Sequence, residues 1–248
     1  MNIGLYQSAA SMSALERWQD AVAQNINGSQ TPGYLKRTVS FSGENLGQWQ
    51  TGENPQTGEA GTPAIFPKTT GGVSFAGGDT QPTGRDLDVA IQGDGFFEVQ
   101  MPDGSHAFTR NGEFSVRADH TIVNSSGGEV MSDSGSPITT SVNGGKITIN
   151  QDGTILQGGT AIGRLSIQRF SDTSQLTPIA GGMFSDPGTA GAEPVEKPEL
   201  MQGYVAASNV TPMREMVDMV LISRSYEANQ KLITTADNDA QKTLDALG

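Results

Sequence analysis

The sequence contains no cysteine and only two histidines, which excludes disulfides and thiolate metal sites and leaves little for an imidazole site. A cysteine-free chain is indifferent to the redox state of its compartment, so work outside the cytoplasm stays open to it. Basic residues are scarce. Fifteen Lys and Arg against 27 Asp and Glu give a net charge of −12, the wrong sign for a nucleic-acid partner. No apolar run approaches the roughly 20 residues that a membrane-crossing helix needs, so no membrane insertion is expected. The opening MNIGLYQSAASMSALERWQD lacks a basic region and a continuous apolar block, and so does not read as a cleavable signal peptide. If the chain leaves the cytoplasm, another route is expected. Aromatics make up 6% of the chain, whereas 32 glycines with many Ser, Thr and Asn residues point to a β-rich centre with tight turns.

The ends read differently from the centre. Leu5, Ser8, Met12, Leu15, Gln19, Val22 and Ile26 alternate at spacings of three and four, the seam of a coiled coil. Asn27-Gly28 closes that helix, and Thr31-Pro32-Gly33 forces extended or turn geometry; a type II turn centred on Pro32-Gly33 would give Gly33 positive φ. At the other end Thr211-Pro212 starts a second helix, with Glu215 suited to its positive end. Its seam is Met219, Ile222, Tyr226, Asn229, Ile233, Ala236, Ala240, Thr243 and Leu247, while Val217, Val220, Leu221 and Leu232 lie off it. Each helix is the other's missing neighbour, in either direction. The apolar residues left over call for further copies of the same helices, hence a polymer or bundle.

The predicted fold class is α+β: a coiled-coil-like pair of terminal helices, an extended linker and a central, mainly antiparallel β domain. The expected division is 1–37 with 205–248 as the helical part, 38–84 with 185–204 as connecting region, and 85–184 as the β domain. Residues 38–84 are poor in apolar groups and can be ordered only against something else, with Trp49, Ile65 and Phe66 as anchors. In the β domain, turn signals recur at Asp94-Gly95, Asp103-Gly104, Asn111-Gly112, Asp119-His120, Gly127-Gly128, Asn143-Gly144, Asp152-Gly153 and Gly158-Gly159, the mark of consecutive short strands.

Sharper chemistry finds little support. His106 and His120 have no paired cysteine or close third ligand, so surface roles are the simpler reading. Asp86, Asp88, Asp94 and Asp103 invite a calcium site, but no loop carries spaced oxygen ligands, and turn-forming Asp-Gly pairs explain them. Gly93-x-Gly95 is followed by a paired β turn, with no helix to hold an anion, so it is no phosphate loop. The serines lack a neighbouring base. No catalytic residue, metal or cofactor is expected, and a structural subunit stands first with a secreted β-rich adhesin or binding module as the alternative.

Three blocks resemble one known family. AQNINGSQTPGYLKR, QPTGRDLDVAIQGDGFFEVQMPDGSHAFTRNGEFSV and GYVAASNVTPMREMVDMVLISRSYEANQKLITTADNDAQKTLDAL are similar to the bacterial flagellar rod and hook proteins, in the same order. Asn25, Gly93 to Phe97, Thr109-Arg110-Asn111-Gly112, Ser208-Asn209-Val210, Tyr226-Glu227-Ala228-Asn229 and Thr235-Ala236-Asp237 carry the likeness. Without the extra outer domain of a hook subunit, the chain most resembles the rod proteins. Pro32 in TPGY and Pro212 in SNVTP favour the proximal-rod type, although GYLKR and YEAN also suit the distal-rod type. The resemblance implies an axial subunit whose terminal helices line an inner tube, with the β domain outside. It also implies flagellar export without a cleaved signal, a position across the periplasm, and torque transmission. Implied partners are copies of itself, other rod proteins, the surrounding rings and the export apparatus. The expected subunit-interface residues are Leu5, Met12, Leu15, Val22, Ile26, Met219, Ile222, Tyr226, Ile233, Ala236 and Leu247, with Gly28, Pro32 and Gly33 as hinge.

Overall fold

The computed structural model describes residues 3–49, 62–142 and 144–245. Leu247, Asn143 and the side chains of Leu5, Trp49, Ile65 and Ala240 lie outside the described residues. The chain divides into two compact units, one of 1–26, 37–72 and 212–248, the other of 27–36 and 73–211.

The first unit holds helix α1 (Ile3–Gly28), strands β1 (Arg37–Trp49) and β2 (Thr62–Val73), and helix α2 (Pro212–Asp245). Pro212 opens α2, where its missing N–H costs nothing and its fixed φ suits a helix. β1 and β2 pair as a two-stranded ribbon, so the residues expected to form an extended linker include regular strands. The ribbon is antiparallel: Ser40 Oγ donates to the Thr70 carbonyl at 3.3 Å and Ser42 Oγ to that of Lys68 at 3.5 Å. An isolated two-stranded ribbon is marginal in water. This one has support from α1, through an edge-on contact of Trp18 with Phe41 at 5.6 Å and an Arg17 Nη1 bond to Thr69 Oγ1 at 3.3 Å. Phe66, named as an anchor, is half-buried.

The second unit is antiparallel throughout. The chain enters through β3 (Thr80–Pro82) and β4 (Val89–Gln92) and leaves through β17 (Glu199–Gln202) and β18 (Tyr204–Ala206), with β18 paired to β3 and β17 to β4. Between them runs a larger sheet in which β5 (Phe96–Gln100) pairs with β6 (His106–Thr109), β9 (Glu129–Val130) and β13 (Ile167–Phe170). β5 explains its own adjacent phenylalanines. Successive strand residues point to opposite faces, so Phe97 joins Val89, Val99, Phe114, Ile122 and Ile155 in one core, and Phe96 joins Leu35, Phe108, Phe170 and Phe184 in another. Two apolar clusters thus sit on the two faces of one sheet.

Most Gly turns fall where the sequence signals them, but Asn111-Gly112 does not reverse a hairpin. β6 and β7 (Phe114–Val116) are separated in the sheet by β5, β9 and β8 (Ile122–Asn124). Gly112 is needed there because a Cβ would overlap the Val89 carbonyl, while the Val89 N–H donates to the Gly112 carbonyl at 3.0 Å. β10 (Ile147–Ile149), β11 (Thr154–Gln157) and β12 (Thr160–Arg164) form a three-stranded sheet, while β14 (Thr177–Pro178) and β15 (Met183–Ser185) extend the larger sheet beyond β6. The segment 185–204, expected as connecting region, contributes β16 (Ala192–Pro194), which pairs with β13, and β17.

Four turns share one chemistry. Asp103, Asp119, Asp152 and Asp172 each accept the backbone N–H two residues on, and all but Asp119 also take the hydroxyl hydrogen there at 2.6 to 3.0 Å. Those bonds to Ser105, Thr121, Thr154 and Ser174 hold all four carboxyls below the ordinary value. A carboxyl depressed in the folded chain stabilises the fold above its unfolded value of about 3.9. The contribution is lost as pH falls through the lower folded values. Thermal unfolding of the wild type is therefore expected to lose stability as pH drops below about 4. A variant with all four changed to Asn, which retains the acceptor oxygen, should show a flatter acid limb. Identical limbs would show that the four turns carry no such linkage.

Candidate functional site

Within the first unit, Leu15, Val22 and Ile222 are buried together with Trp18, Ile26, Met219 and Tyr226 packed on them. Met12, Asn229, Ile233 and Ala236 are half-buried. Gln19 and Thr243, also placed on the seams from sequence, are exposed, because the helix twist carries these two positions to the border of the face. Trp18 was not singled out from sequence. The residues brought together come from both helices of one chain, so this part of the seam is covered within the chain.

The opposite side of α2 is not covered. Met213, Met216, Val217, Val220 and Leu221 are between 48% and 72% exposed, and Leu232 is 60% exposed. At about 100° per residue the first five form one stripe pointing away from Ile222. Val217, Val220, Leu221 and Leu232 are the off-seam residues of the sequence; Met213 and Met216 extend the stripe into the first turn.

Where α1 ends and α2 begins, a buried asparagine joins three elements. Asn25 is 1% exposed. Its Oδ1 accepts the Arg37 N–H at 2.8 Å, and its Nδ2 donates to the Arg37 carbonyl and to Glu215 Oε2, both at 2.9 Å. Glu215, also 1% exposed, sits in the first turn of α2, where the helix dipole favours its charge. Sequence reasoning assigned Glu215 only to the dipole. Its signal was spacing: 215, 219, 222 and 226 continue the seam back by one step.

The second unit has a matching junction. Tyr34 N–H donates to the Thr31 carbonyl at 3.2 Å, closing a turn with Pro32 and Gly33 at its corners, and Gly33 has φ +69°. That is the type II arrangement. The turn is seated on Thr109 to Gly112: a Cβ at Gly33 would overlap the Arg110 carbonyl carbon and the Asn111 nitrogen. Gly33 N–H also donates to the Ala206 carbonyl at 2.7 Å. The ring of Tyr34 lies against Gly28, and Leu35 enters the Phe96 cluster. Asn209 then holds the exit. Its Oδ1 accepts from Lys36 N–H at 2.6 Å, and its Nδ2 donates to the carbonyls of Ser74 and Ala76 at 2.9 and 2.7 Å. Arg110 braces the seat from below, stacked 5.3 Å over Phe96 with Nη2 on the Gly93 carbonyl at 3.1 Å. Burial lowers its pKa, offset in part by Asp94, and a guanidinium stays charged regardless.

The carboxylates weighed for calcium have separate partners. Asp86 meets Lys146 at 3.4 Å, buried Asp88 meets Arg85 Nε at 3.4 Å, Asp94 lies 3.9 Å from Arg110, and Asp103 serves its own turn. His106 Nδ1 contacts Glu98 Oε1 at 2.7 Å, while Ser166 Oγ donates to the other Glu98 oxygen at 2.6 Å.

The described residues thus present two helices joined by a buried polar clamp, an exposed apolar stripe on α2, and a turn fixed on a β scaffold. Residues 90–157 match the family described as "Flagellar hook protein FlgE/F/G D1 domain", and residues 201–246 match "Flagellar basal body rod FlgEFG protein C-terminal". The chain is 31% identical to the flagellar basal-body rod protein FlgG of Borreliella burgdorferi, with 94% of each chain covered. It is 30% identical to FlgF of Rhizobium meliloti and 29% identical to FlgF of Caulobacter vibrioides, in both cases over 100% of this chain and 99% of the relative. The chain belongs to the family of flagellar basal-body rod proteins, structural proteins of motility located in the flagellar basal body. Among the described residues no helix is long and apolar enough to cross a membrane.

Proposed function

We propose that the chain is a rod subunit that polymerises through its terminal helices into a torque-transmitting axial tube. The observation that carries this reading is the exposed stripe of Met213, Met216, Val217, Val220 and Leu221 on a helix whose other face is already covered. Burying five half-exposed apolar side chains against another copy would contribute about 1 kcal/mol each, recurring at every subunit. In this reading Leu15, Val22, Ile26, Met219, Ile222 and Tyr226 set a coiled-coil-like pair within each chain, and Met12, Ile233 and Ala236 extend it. The stripe is then the contact surface between copies. Gly28, Pro32 and Gly33 fix the exit from α1.

The partners are copies of this chain, other rod proteins and the surrounding rings, met after the flagellar export apparatus has delivered the chain to the rod, which spans the periplasm. The proximal-rod type rests on Pro32 and Pro212. No catalytic step belongs to the reading, and the relatives bear the names of rod proteins. Sedimentation velocity of the purified chain over a range of concentrations is the test. Association that grows with concentration and disappears when 212–248 is removed is expected. A chain that stays monomeric at all concentrations would favour the adhesin alternative.

A further inference from the structure

We infer that Asn25 and Glu215 determine the register and direction of the helix pair, acting as specificity residues of the fold on which assembly depends. The aliphatic positions of a seam repeating at three and four residues can exchange after a slip of one turn at modest cost, because Leu, Ile and Met are similar in volume, Val is smaller by one methylene, and none has a directional bond. In the seam here Leu15, Val22, Ile26, Met219 and Ile222 are of that kind, and only Trp18 and Tyr226 distinguish one register from the next by shape, without a directional bond. The amide at Asn25 breaks the equivalence. Both Nδ2 hydrogens and Oδ1 are engaged at once, with the Arg37 N–H, the Arg37 carbonyl and Glu215 Oε2.

Sliding α2 by four residues would bring Met219 to the clamp. The amide hydrogen would then lose its acceptor, and the Glu215 carboxylate would lose a donor in a buried place. Reversing α2 would carry Glu215 to the far end of α1. Only the antiparallel pairing that joins the last turn of α1 to the first turn of α2 satisfies the amide, the carboxylate and the first residue of β1 together. A buried polar residue that fixes register in an otherwise apolar helix interface is a known use of asparagine. The consequence for assembly rests on the polymer reading above: a slipped α2 would present the Val217 stripe one turn out of place. The register itself does not rest on it, because it is a property of one chain.

The absence of cysteine makes the test direct. Cysteines introduced at the exposed Gln19 and Ser223 carry nitroxide labels, and the label-to-label distance is read by pulsed electron paramagnetic resonance on full-length monomeric chain. The parent and Glu215→Gln, which keeps an acceptor oxygen, should each give one narrow distance. The Asn25→Leu/Glu215→Leu variant should retain its helical circular dichroism and acquire a second distance, displaced by about 5 Å for each turn of slip. A single unchanged distance in the double variant would overturn the inference. Loss of its helicity would do so too, since the clamp would then be a source of stability and not of specificity. Failure of the polymer reading would show only in sedimentation and would leave these distances untouched.

Discussion

A chain carrying Gly33→Val is expected to lose the docking of residues 31–36 on the β scaffold, with a fall in thermal midpoint of about 10 °C. Two independent costs combine. Gly33 has φ +69°, a conformation that costs a side chain roughly 1–2 kcal/mol. The added Cβ would also fall on the backbone of Arg110 and Asn111, which cannot rotate away as a side chain could. Relief requires the turn to lift, and lifting it breaks the bond from Gly33 to Ala206 and withdraws Leu35 from the Phe96 cluster. Exposing a buried leucine forfeits about 1.5–3 kcal/mol. Together these approach 3–5 kcal/mol, and at about 2–4 °C per kcal/mol for a chain of this size the shift is large. Gly33→Ala should move in the same direction by less. Gln30→Ala, at an exposed position beside the turn, should change little. Equal midpoints for Gly33→Val and Gln30→Ala, measured by calorimetry, would mean that the turn is a loose connection.

Val217→Asp with Leu221→Asp is expected to abolish assembly and swimming while leaving the folded chain intact. Both positions are about half exposed in the subunit, so the substitutions cost the monomer little beyond helix propensity. In an interface between copies each would place an unpaired charge against apolar side chains, at several kcal/mol per contact. The penalty recurs along the polymer. Gln230→Asp, exposed on α2 but off the stripe, provides the control for added charge. Normal swimming and normal basal-body yield in the double variant would remove the stripe from the account.

Periodicity made the helices legible, because their burial is local and one-dimensional: the spacing of Met219, Ile222 and Tyr226 in sequence is their spacing in space. The turn at Pro32-Gly33 was legible for the same reason, since backbone preference there is set by two residues. What the turn rests on was not legible. Gly33 meets Arg110, and Asn209 ties Lys36 to Ser74, across separations that no local pattern encodes. Asn111-Gly112 was misread as a hairpin turn because Asn-Gly signals a positive-φ turn, whereas here Gly is required by the nearness of Val89. The ribbon of β1 and β2 escaped because its stability comes from Trp18 and Arg17 on α1, and its own residues alternate only weakly. Glu215 was seen as a charge and missed as a seam position, although the seam spacing reaches it.

In the proposed polymer the stripe on α2 is where one copy meets the next. A side-chain-resolution reconstruction of the assembled axial structure containing this chain tests it most directly. The expected result has Met213, Val217, Val220 and Leu221 buried against helices of neighbouring copies, with Asn25 bonded to Glu215 of its own chain. A reconstruction in which that stripe faces solvent, while copies touch only through their β sheets, would contradict the account.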